Sequence, residues 1–151
     1  MPTIDFYTLE PASPGDRYLL TCHLVEGLYQ DGARVLIHCP ETERARRLDQ
    51  LLWTYRQESF IPHGLVGQVD PELTPILIGT DLGRQTEGAV LINLAAEVPA
   101  EFARFERVCE PVDQDPAVRA AARLRFRYYR DQGFPPDHHP MSLPRDAADA
   151  W

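Results

Sequence analysis

The sequence predicts a single three-layer α/β domain, Rossmann-like, on a mainly parallel sheet. Short and nearly continuous apolar runs such as Val35-Leu36-Ile37 read as strands buried on both faces. Segments with helical spacing alternate with those runs, as a parallel sheet joined by crossover helices requires. The 151 residues, 44% of them hydrophobic, suffice for one core, and no internal repeat or linker divides them.

Ile4 to Leu9 alternates and reads as the first strand, ended by the Pro/Gly-rich stretch 10–15. Asp16 to Asp31 reads as a helix with Leu20, Leu24 and Leu28 on one face, closed by Gly32. The run Ala33 to Cys39 is the next strand, and a second helix follows with Thr42 as its cap and Ala45, Leu48 and Leu52 as its buried stripe. Ser59 to Leu65 is extended or looped, interrupted by Pro62 and Gly64. Pro75 to Gly79 and Ala89 to Leu94 read as short strands, Pro99 to Ala103 as a helical stretch, and Phe105 to Val112 as a further strand. The last helix has the clearest limits: Asp115 as N-cap, Pro116 in the first turn and Gly133 past the end. Residues 1–134 are thus expected to form the α/β domain, and 135–151 a Pro-rich polar tail, mobile at its end.

Neither a membrane span nor a signal peptide is legible in the chain, so it reads as cytoplasmic. Cys22, Cys39 and Cys109 are far apart and odd in number, which suits reduced core residues better than a disulfide framework or a zinc site. The net charge of −8 disfavours direct binding to a phosphate backbone while leaving room for a local basic patch. All 15 basic residues are arginine.

A Rossmann-like layout raises the possibility of a nucleotide enzyme, which would need a glycine-rich turn after the first strand. That turn offers one glycine, Gly15, and prolines that remove amide donors, and without a lysine no Walker-type loop exists. There is no Gly-x-Ser-x-Gly elbow and no His-Glu-x-x-His helix. His63 in its loop, and His138-His139 beside Asp137, read as locally hydrogen-bonded or solvated residues. No catalytic residue, cofactor or metal ligand is expected.

The last helix carries a different signal. Ala117, Ala121, Leu124 and Tyr128 fall together and read as its core face; Arg119, Arg123, Arg127 and Arg130 fall together on another, with Phe126 beside them, nearly opposite the core face and read as an exposed aromatic. Arginines clamp carboxylates bidentately and an aromatic supplies an apolar seat, so the stripe suits an acidic peptide with an apolar anchor. The plainer account is a solvated face whose arginines near the C-terminus complement the helix dipole. Trp53 at the end of the second helix and Phe60 just beyond it form a second aromatic pair, which reads either as an interface or as a cap on the core.

Several segments together resemble the chi subunit of bacterial DNA polymerase III. They are Asp5-Phe6-Tyr7, the run Gly32 to Ile37, Arg47 to Trp53, Glu58 to Leu65, and the terminal pattern Ala122-Arg123 … Phe126-Arg127-Tyr128-Tyr129-Arg130 … Gly133-Phe134. The resemblance implies a non-catalytic subunit that bridges two partners. One is the psi subunit, which ties the family to the clamp-loader complex. The other is the acidic C-terminal tail of single-stranded DNA-binding protein, which ends in an apolar dipeptide whose last residue is a phenylalanine. The family's tail site matches Arg119, Arg123, Phe126 and Arg127, with Val112 in the same pocket, and its psi-contacting aromatics match Trp53 and Phe60. In the family a DNA-repair helicase competes for the psi surface; these residues leave that partner open.

Phe126 stands where the family commonly has tyrosine, Arg119 and Arg127 replace lysines, and the Thr80–Thr86 loop and the tail after Phe134 diverge. Two other functions remain as alternatives: a nucleotide-dependent enzyme, and a direct single-stranded DNA binder using the Arg–Phe patch.

Overall fold

The structure, a computed structural model, describes residues 2–55, 60–81 and 89–144. The elements run β1 (Thr3–Leu9), α1 (Arg17–Gln30), β2 (Val35–His38), α2 (Thr42–Thr54), β3 (His63–Leu65), β4 (Ile76–Gly79) and β5 (Val90–Asn93). A short 3-10 turn (Phe102–Arg104) precedes β6 (Arg107–Val112), α3 (Pro116–Asp131) and β7 (Asp137–Met141). The seven strands form one parallel sheet in the order β3-β4-β2-β5-β6-β1-β7. The expected α/β class with a parallel sheet is what the chain adopts.

Strand alternation explains why the apolar runs are continuous. Val35 and Ile37 face α1 and α2, where they pack with Leu19, Val25, Leu48 and Leu52. Leu36 faces the other way, toward α3 and the 3-10 turn, with Phe6, Val108, Phe102 and Tyr129. Both faces of the central strands are therefore covered.

Local chemistry sets the helix ends. The Asp16 carboxylate caps α1 by accepting from the N–H groups of Tyr18 and Leu19 at 3.0 Å each. Leu20 and Leu28 are buried as expected, whereas Leu24 is only half-buried, because Leu19, Cys22 and Val25 take the inward positions. Thr42 is the first helical residue of α2, not its cap; Glu41 holds that position, and its carboxylate pairs with Arg44 at 3.1 Å instead of bonding the helix end. Asp115 caps α3 through the N–H of Ala117 at 2.8 Å, and Gly133 follows the helix with φ +89°.

The segment around Pro62 and Gly64 forms β3, paired in parallel with β4. A Cβ at Gly64 would collide with the Val69 side chain, which packs directly on the strand backbone there. Within the segment read as a polar tail, residues 137–141 form β7, hydrogen-bonded beside β1, and Leu143 is buried. Glu58 and Ser59 of the resemblance, residues 82–86 of the divergent loop and residues 145–151 of the tail lie outside the described residues. Cys22, Cys39 and Cys109 are buried free thiols, and burial pushes all three up, Cys109 to about 12. No helix of the described residues is long and apolar enough to cross a membrane.

Candidate peptide-binding pocket and aromatic surface

The rotation of α3 is fixed by a polar network below it. Glu110 on β6 is fully buried, and its carboxylate accepts from Arg125 Nε at 3.0 Å, Asn93 Nδ2 at 2.9 Å and the Tyr129 hydroxyl at 2.7 Å. Burial pushes the Glu110 carboxyl up from the usual range, and the Arg125 guanidinium with the other donors opposes the rise. Arg125 also donates to the carbonyl of Ala96 at 3.1 Å.

The network turns Ala122, Arg125 and Tyr129 inward, so the expected core face of α3 is overturned. Ala117 and Tyr128 are exposed, Ala121 is half-buried, and Leu124 keeps 66% of its surface. Phe126 is corrected as well: it is half-buried, tilted against Phe6 with ring centroids 5.1 Å apart. The sequence pattern set the phase of the helix by its apolar stripe, whereas a buried charge partner set it in the fold.

With this rotation, one flank of α3 leans over β1 and β7 and encloses a cavity of about 450 Å³. Its apolar lining is Phe6, Val112, Ala122 and Phe126. Arg119, Arg123, Arg127 and Arg130 line it from the helix, with Thr8 and His138 on the strand side. The structure thus brings together Val112, Arg119, Arg123, Phe126 and Arg127.

The arginines are not equivalent. Arg119 donates from Nε to the carbonyl of Asp113 at 3.1 Å and from a terminal nitrogen to that of Leu9 at 3.2 Å, which ties the helix to the ends of β6 and β1. Arg130 lies 3.7 Å from Asp131. Arg123 and Arg127 are exposed and have no hydrogen-bond or ion-pair partner among the described residues. Two uncommitted guanidinium groups beside an apolar recess can receive carboxylates on a ligand that also buries a ring.

Trp53 and Phe60 form a second exposed cluster, 51% and 69% exposed, with centroids 5.4 Å apart. Beneath them His63 is buried, its ring 4.5 Å from that of Trp53 and its nitrogens 2.7 Å from the carbonyl of Ile61 and 2.9 Å from that of Asp49. The histidine read as a loop residue is thus a strand residue that braces Trp53 from below, with the local hydrogen bonding expected of it.

At the turn after β1, the N–H groups a nucleotide phosphate would need are already taken. Asp16 occupies those of Tyr18 and Leu19, and Asp113 accepts from Arg17 at 2.9 Å. Among the described residues, no group of three or more His, Cys, Asp or Glu side chains could hold a metal ion.

Residues 1–137 match the family described as DNA polymerase III chi subunit, HolC. The chain belongs to that family. It is 39% identical over 145 residues to DNA polymerase III subunit chi of Pseudomonas aeruginosa, covering 96% of this chain and 99% of that one. The corresponding subunit of Haemophilus influenzae is 31% identical, covering 87% and 92%, and that of Escherichia coli 34%, covering 76% and 79%. Among solved structures, the second DEAD-box helicase domain of Mss116p, bound to an RNA duplex, has the same fold. The TM-score is 0.59 at 10% identity, covering 95% of this chain and 66% of that one.

Reading the sequence missed the strand wall of the pocket. Phe6 and Thr8 read only as part of the first strand, and His138 and His139 read as solvated tail residues. The parallel register sets His138 beside Phe6 and His139 beside Tyr7, so the adjacent histidines face opposite sides of the sheet. His138 Nε2 is 3.0 Å from Thr8 Oγ1 at the pocket. His139 stacks on Tyr7 and lies 2.8 Å from Asp5, which also holds Arg107 at 2.9 Å. No hydropathy alternation marks Asp137 to Met141, and Pro140, which an edge strand tolerates, reads as a strand breaker, so the sequence alone carried no signal for this strand.

Proposed function

We propose that this chi-family chain is a non-catalytic adaptor of the bacterial replicase that holds two partners at once. One is the acidic C-terminal tail of single-stranded DNA-binding protein, seated in the α3 pocket. The other is the psi subunit, seated on Trp53 and Phe60. The observation that carries the first assignment is the pocket's composition: an apolar recess at Val112 and Phe126, rimmed by Arg123 and Arg127, which have no partner among the described residues. A terminal phenylalanine fits the recess while the aspartates and the terminal carboxylate meet the arginines. On a chain of net charge −8, that local positive field draws an acidic segment to one place.

The aromatic pair supports the second assignment. Large exposed aromatics packed against each other are typical anchors of an interface. The two surfaces lie toward opposite edges of the sheet, Trp53 beside β3 and the pocket beside β1 and β7. Six strand spacings of about 4.8 Å separate the edges by roughly 29 Å, enough for both partners to bind together.

The test is titration of the protein into a labelled acidic peptide ending in Ile-Pro-Phe, at low and high salt. The expected result is salt-weakened binding that is lost when the peptide's terminus is amidated or its last phenylalanine is removed. Absence of binding at low salt overturns the tail assignment. For the second surface, loss of psi copurification on Trp53→Ala is expected, and unchanged copurification overturns it.

A further inference from the structure

We infer that β7 is a working wall of the pocket and that His138 is an additional anion-contacting residue in it, which makes capture of an acidic peptide proton-linked. This rests on the peptide-capture reading of the same pocket. The match to the family ends at residue 137, so His138 lies just beyond it.

The geometry carries the assignment. In the register of β7 with β1, His138 stands beside Phe6, on the sheet face that α3 covers. It lines the same cavity as Arg123, Arg127 and Phe126, from the opposite wall. Its Nε2 is 3.0 Å from Thr8 Oγ1, and a hydroxyl can accept from or donate to a ring nitrogen, so this contact orients the imidazole in either protonation state. The strand itself is fixed from the other face by His139, stacked on Tyr7 and bonded to Asp5. One histidine therefore anchors the wall while its neighbour presents a titratable group to the ligand.

The charged groups facing His138 from α3 are Arg119, Arg123, Arg127 and Arg130. From β1 it meets the uncharged Phe6 and Thr8, and from β6 the uncharged Val112. Along β7, Asp137 and His139 alternate to the other face. Among the described residues no carboxylate lines the cavity, so an acidic peptide brings its own negative charge to the imidazole. A bound carboxylate and an imidazolium stabilise each other, so the peptide is held more tightly as pH is lowered from about 8 to about 6. The peptide's aspartates stay ionised there, since free aspartate titrates near about 3.9.

The experiment measures affinity of the full chain for the acidic Ile-Pro-Phe peptide at about pH 8 and about pH 6, at constant ionic strength. It compares the native chain with His138→Gln and His139→Gln, each checked by circular dichroism. For a solvent-accessible charge contact the native chain should bind about threefold more tightly at the lower pH. His138→Gln should bind with no pH dependence, and His139→Gln, if folded, should keep it. As a second readout, the ring resonances of His138 should titrate at higher pH with peptide bound than without. Equal affinity at both pH values, or pH dependence that survives His138→Gln, overturns this inference while peptide capture stands. No binding by the native chain at either pH overturns both readings.

Discussion

At Glu110 a carboxylate sits wholly out of water, with Arg125, Asn93 and Tyr129 as its donors. Such a pair adds little net stability against an apolar substitute of both residues, but removing one partner strands a buried charge. Arg125→Met should therefore destabilise the chain by about 3–5 kcal/mol near neutral pH, as read by urea denaturation. The sign of its pH dependence follows from the direction of the Glu110 shift. A carboxyl raised above its unfolded value stabilises the fold most below the unfolded pKa, and that contribution is lost as pH rises through the folded one. Without Arg125 the rise is larger, so the penalty of the variant should shrink as pH is lowered and the stranded group takes up a proton. A penalty independent of pH would mean that Glu110 is not the group left unpaired.

α3 has two jobs that separate along its circumference. Its inward side holds the network to β6, and its flank over β1 and β7 carries the arginines. Arg123→Ala with Arg127→Ala should leave stability within about 0.5 kcal/mol of native, because both side chains are exposed, without partners among the described residues. The same double variant should weaken acidic-peptide binding by about tenfold or more, since charge contacts beside a buried ring are then lost. Asp115→Ala removes the cap on the N–H of Ala117 and should cost about 1 kcal/mol in chemical denaturation while leaving peptide contacts in place. The opposite pattern, stable arginine variants with unchanged binding, would put the peptide elsewhere. On the other edge, Phe60→Ala should alter stability by less than about 0.5 kcal/mol, because the ring keeps most of its surface in the free chain, yet should weaken capture of the psi partner.

Across the whole molecule, the all-parallel sheet holds the two surfaces apart, and no element of the sheet is shared between the Trp53 cluster and the pocket. Sites that lie toward opposite edges of the sheet without shared partners are expected to act additively. The affinity for the acidic peptide should thus be the same, within about twofold, whether or not the proposed psi partner is bound; calorimetry on the free and partnered chain reads this directly. A large change in affinity would require a two-state element linking the edges.

The sequence by itself determined the alternating elements, the parallel α/β class and the limits of α3, because apolar period, Asp115 as a cap and Gly133 beyond the end are local properties of the chain. It also placed Arg119, Arg123 and Arg127 on one side of a helix, since helical geometry alone groups them. Only the tertiary structure decided which way that helix turns. Leu124 and Tyr128 look like core residues by hydropathy, but the partner of Glu110 must lie inward, and a buried carboxylate without its guanidinium costs more than an exposed leucine. The strand wall of the pocket was hidden for a related reason. Thr8 and His138 are 130 positions apart and meet only through the pairing of β7 with β1, a contact set by sheet register and not by any neighbour in the chain.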